Sequence, residues 1–104
     1  MLRSLFWVCL FALTMSLSTA SATEKPLQLR VLSYNIHHGE GIDRLLDLNR
    51  IAKVINSVHP DIVSLQEVDR TTARVKKQDQ PAVLAKATSM QVIFAQNIPF
   101  QGGD

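Results

Sequence analysis

The chain has 104 residues, 46% hydrophobic and 6% aromatic, with one cysteine and a formal charge of +2 at pH 7. That length leaves room for one small domain at most. A near-neutral charge with no basic stripe gives no support for strong nucleic-acid binding, and a single cysteine excludes a disulfide framework or a cysteine-clustered metal.

Residues 1–22 read as a signal peptide. Arg3 supplies the positive start, Leu5 to Leu13 the apolar run, and Ala20-Ser21-Ala22 the small-residue cleavage pattern, so the mature chain should begin at Thr23. The run is shorter than the roughly 20 apolar residues a bilayer span needs, so no stable membrane anchor is expected after cleavage. Cys9 sits in mid-run, without the setting for lipid attachment. The expected location is exported, periplasmic or secreted. Processing removes the only cysteine and the only tryptophan, and the loss of Arg3 lowers the formal charge from +2 to +1.

In the mature part, Leu27 to Tyr34 predicts a strand entering a buried sheet. Gly39, Gly41 and Asp43 mark a loop. Asp47 is placed to N-cap a helix that carries Leu48, Ile51, Ala52, Ile55 and Val58 at helical spacing, with Arg50, Lys53 and Asn56 outward. His59-Pro60 ends it, because the residue before proline avoids the helical region. Ile62 to Leu65 predicts a second strand, buried in a parallel or mixed sheet. Asp69 to Gln80 is a polar loop whose Lys76 and Lys77 form a solvated face. Pro81 to Met90 predicts a second helix, with Val83, Leu84 and Ala87 on one side and Pro81 in its first turn. Gln91 to Ala95 predicts a third strand. The alternation of strands and helices argues α/β layering. Tyr34, Phe94 and Phe100 are the only mature aromatics, a thin supply for a core by itself. With the open turn Gln101 to Asp104, this makes a truncated chain the expectation.

Chemistry is concentrated where the two strands end. Glu67, in Ser64-Leu65-Gln66-Glu67-Val68-Asp69, has the hard oxygen that a Mg²⁺ site asks for; the plain alternative is a surface glutamate in a turn. Asn35, in Ser33-Tyr34-Asn35-Ile36-His37-His38-Gly39, offers a donor and an acceptor to a metal, a carboxylate or a phosphate; otherwise it caps a turn. The helix between them is long enough for a crossover that sets both strands parallel, with their ends at one rim. His37 and His38 could act as base or touch substrate, and Arg70 could clamp a phosphate or simply pair with Asp69.

Together these two segments resemble the endonuclease/exonuclease/phosphatase superfamily, whose members are deoxyribonuclease I-like, Mg²⁺-dependent phosphoesterases. The resemblance runs from Leu29 to Asp104 and is sharpest over Asp61 to Asp69. It implies the first strands and helices of a four-layer α/β sandwich over residues 23–104. Asn35 and Glu67 would then stand in the metal site, with Asn35 also in the catalytic set and Mg²⁺ as cofactor, Mn²⁺ being the alternative. The implied function is the N-terminal part of an exported phosphodiesterase, endonuclease or phosphatase acting on a phosphoester. The family's later water-positioning Asp and Asn, its further metal-site Asp and its catalytic His find no counterpart here, so the chain alone is expected to be inactive. The alternative is a non-catalytic exported remnant or binding module. Substrate, and the roles of His37, His38 and Arg70, stay open.

Overall fold

A computed structural model describes residues 24–104; the signal-peptide reading of residues 1–22 lies outside them. Two strands, β1 (Val31–Asn35) and β2 (Ile62–Gln66), pair in parallel with Asn35 opposite Gln66. The crossover between them is a single turn of 3₁₀ helix at His37–Gly39 followed by helix α1 (Leu48–Val58), and α2 (Gln80–Thr88) follows the long loop after β2.

Helix α1 starts where the sequence places it. Asp47 is its N-cap, accepting hydrogen bonds from the amides of Asn49 at 2.9 Å and Arg50 at 3.2 Å, which satisfies two of the orphan donors of the first turn. It ends at His59, which turns into the left-handed region at φ 50°. Leu48, Ala52 and Ile55 are buried, and Arg50, Lys53 and Asn56 face out. Helix α2 is capped by Asp79 and begins with Pro81 in its first turn. It buries Pro81 and Leu84, while Ala87, expected on the inner face, is exposed.

Alternation decides which side of the sheet is covered. Leu32 and Tyr34 in β1, and Val63 and Leu65 in β2, turn towards the helices. Tyr34 and Leu65 pack on the core of Ile36, Leu48, Ala52 and Leu84. The opposite face is open, with Val31 61% and Ile62 48% exposed. The second strand was expected to be buried on both sides; its covering is one-sided, because the two helices share a face.

Two other expectations change. The first strand starts at Val31, and Leu27 and Leu29 are exposed without a partner strand. Residues Gln91 to Ala95 form no ladder. They line, with β2, an open groove of about 930 Å³. Strand propensity needs a neighbour to pair with, and this segment meets the groove instead of a strand edge.

Candidate functional site

The pairing of β1 and β2 continues past their ends. The amide of Ile36 donates to the carbonyl of Gln66 at 3.0 Å, and that of His38 to the carbonyl of Glu67 at 2.8 Å. The loops leaving both strands are thereby tied together at one rim, where open α/β sheets place their sites.

At this rim Asn35 Nδ2 donates to Glu67 Oε1 at 2.8 Å, and Asn35 Oδ1 accepts from the amide of His37 at 3.0 Å. The two bonds fix the orientation of the amide, since its oxygen receives an N–H and its nitrogen faces a carboxylate. Asn35 therefore holds one Glu67 oxygen and the start of the histidine turn at once. The two residues that the sequence puts at the site are in direct contact.

The histidines join them. His37, His38 and Glu67 each present a ligand atom, and the three atoms lie within 4.8 Å of one another. His37 Nδ1 is 3.3 Å from the carbonyl of Glu40. His38 is buried, its Nε2 3.5 Å from Glu40 Oε2, and its Nδ1 is buried without a hydrogen-bond partner. The backbone is left-handed at all three, with φ 48° at His37, 43° at His38 and 55° at Glu67. Gly39 follows at φ 81°; a Cβ there would stand 2.8 Å from Leu48 Cδ2, so glycine lets the turn lie against α1.

Behind the site the loop from Asp69 to Gln80 is folded, not simply solvated. Asp69 is buried and receives Arg74 Nε at 2.6 Å, Arg74 Nη2 at 2.8 Å and Thr72 Oγ1 at 2.5 Å. The Arg74 guanidinium, ahead of the opposing burial, holds the Asp69 carboxyl below the usual carboxylate range. Asp69 thus pairs with Arg74, not with Arg70; Arg70 pairs with Asp104 and lies 4.4 Å over the Phe94 ring. Gln80, 1% exposed, donates to the carbonyl of His38 at 2.6 Å and accepts from the amide of Asp69 at 3.0 Å. One buried side chain therefore couples the histidine turn to the loop after Glu67. Arg74, Thr72 and Gln80 escape sequence reasoning: Thr72 and Arg74 close an irregular turn onto Asp69 that no periodicity marks, and Gln80 reaches 42 residues back to His38. Lys76 and Lys77 are exposed as expected.

A family model described as Endonuclease/Exonuclease/phosphatase family matches residues 32–103. No curated protein matches the chain, and no solved structure does.

Proposed function

The chain belongs to the endonuclease/exonuclease/phosphatase family, and from that premise we propose that it is the metal-binding N-terminal portion, residues 23–104, of an exported Mg²⁺-dependent phosphoester hydrolase. Members of this family are in general hydrolases of phosphoester bonds that use divalent metals and act on phosphoesters or nucleic acids. The observation that carries the reading is the 2.8 Å bond from Asn35 to Glu67 at the common rim of two parallel strands.

The donor set suits a hard divalent cation. Glu67 is exposed, and Asn35 takes only one of its oxygens; the other is free for the ion. Asn35 orients that carboxylate and anchors the turn beside it. Bound Mg²⁺ would supply positive charge to the phosphate and to the oxygen that leaves. Arg70 and Arg74, on the loop after Glu67, are held by Asp104 and Asp69, so neither guanidinium is free to clamp a phosphate. That engagement favours a chain that binds the cation but turns over little by itself, and it keeps a non-catalytic binding module as the second reading.

Glu67→Gln keeps the shape and removes the charge. It should abolish Mg²⁺ binding in calorimetry with an unchanged circular dichroism spectrum. It should also lower Mg²⁺-dependent hydrolysis of an activated phosphodiester, in the chain or in the domain it completes, by about 10²-fold or more. Asn35→Ala should weaken turnover less, and His37→Ala least of the three. A Glu67→Gln chain that bound Mg²⁺ like the parent would end the metal assignment.

A further inference from the structure

We propose that His37, His38 and Glu67 form a mixed nitrogen–oxygen site for a borderline divalent cation of the zinc type, a donor set different from the all-oxygen Mg²⁺ position and sharing Glu67 with it. The inference rests on the hydrolase reading only through that shared carboxylate.

The first argument is proximity. The three ligand atoms lie within 4.8 Å of one another. Three donors each about 2.1 Å from one tetrahedral ion stand about 3.4 Å apart, so the widest pair must close by roughly 1.4 Å. His37 and Glu67 are both exposed, and Asn35 takes only one Glu67 oxygen, so side-chain rotation can supply that closure.

The second argument is the state of the rings. A carbonyl oxygen only accepts, so the contact of His37 Nδ1 with the Glu40 carbonyl places the proton on Nδ1. The lone pair of Nε2 is then available, the arrangement by which ligating histidines are usually oriented. His38, whose ring stands in the cluster, has its Nδ1 buried with no partner. Such atoms are rare in folded chains and call for an occupant. Its other nitrogen faces Glu40 Oε2 at 3.5 Å, so one carboxylate and one carbonyl of Glu40 sit behind the two rings.

The third argument is ligand preference. Mg²⁺ demands oxygen donors in near-octahedral array, whereas imidazole suits zinc and its neighbours. Two imidazoles beside one carboxylate therefore discriminate by donor type, and a zinc-type ion held there would exclude Mg²⁺ from Glu67.

The test is calorimetric titration of the untagged chain with Zn²⁺ and, separately, with Mg²⁺. It is repeated for His37→Ala, for His59→Ala as a histidine outside the site, and for Glu67→Gln. Parent chain should bind one Zn²⁺. His37→Ala, at an exposed position, should lose at least tenfold in Zn²⁺ affinity and keep its Mg²⁺ affinity. His59→Ala should change neither. Co²⁺ used as a visible probe should give intense absorption bands with the parent and weak ones with His37→Ala. No Zn²⁺ binding by the parent, or a loss of less than tenfold in His37→Ala, overturns the proposal. Glu67→Gln separates the two readings. If it loses Zn²⁺ and keeps Mg²⁺, the three-residue site stands and the Mg²⁺ assignment falls; if it keeps Zn²⁺, the three-residue site falls.

Discussion

Asp43 shows how one ion pair shapes the loop between the histidine turn and α1. Its carboxylate meets Arg50 through two hydrogen bonds, at 2.7 and 3.1 Å, and accepts the amide of Leu45 at 3.0 Å. Arg50, the largest influence, lowers the Asp43 pKa from 3.8 to about 2. A depressed carboxylate contributes stability that is present above its ordinary pKa and is lost as pH falls through the folded value. That contribution should hold above pH 3.8 and fade towards about 2. In Arg50→Ala, an NMR titration should show the Asp43 midpoint rising from about 2 towards 3.8, the Leu45 amide still lowering it in part; a midpoint unmoved from about 2 would dismiss the pair as the cause. At this same scale the meeting of Asn35 and Glu67 was legible, because one closes β1 and the other directly follows β2. Arg74 and Gln80 were not legible: Arg74 folds back on Asp69 within an irregular loop, and Gln80 meets a carbonyl 42 residues away, and no periodicity announces either.

Elements were legible where their signals are local. Asp47 precedes an apolar stripe at helical spacing, and it caps α1 through two backbone amides. Asp47→Ala should destabilise the chain by about 1 kcal/mol, within the range of 0.5–2 for lost caps. Urea denaturation measures it, and an unchanged midpoint would mean that tertiary packing alone sets the start of α1. Gln91 to Ala95 failed for the opposite reason. Its apolar, β-branched run has strand character, but a strand exists only with a partner, and this segment borders the groove beside β2.

For the whole molecule, the order of strand and helix was readable because parallel strands need a crossover, and the sequence shows a helix between two apolar runs. The α/β class follows from that, and the paired strands with two helices bear it out. Which face stays open was not readable: Val31 and Ile62 look like core residues, yet they stand on the side away from both helices. That open face, where Val31 and Ile62 stand uncovered beside Ser33 and Ser64, fits a chain that forms part of a larger sandwich. Among the described residues, no helix is long and apolar enough to cross a membrane. We propose export on the strength of residues 1–22, and expression in a Gram-negative host should yield a protein whose N-terminal sequence starts at Thr23. Intact Met1 on the exported or soluble protein would refute it.

The left-handed backbone at His37, His38 and Glu67 has one more consequence. An L-residue there is disfavoured by about 1–2 kcal/mol, and glycine is not. Glycine at any of the three would relax the main chain and remove a side chain of the cluster in the same stroke. The same conformation recurs at Arg44, His59, Thr71, Lys76, Lys77, Ser89 and Gln101, so what sets this turn apart is that three such residues bring their side chains together at one rim.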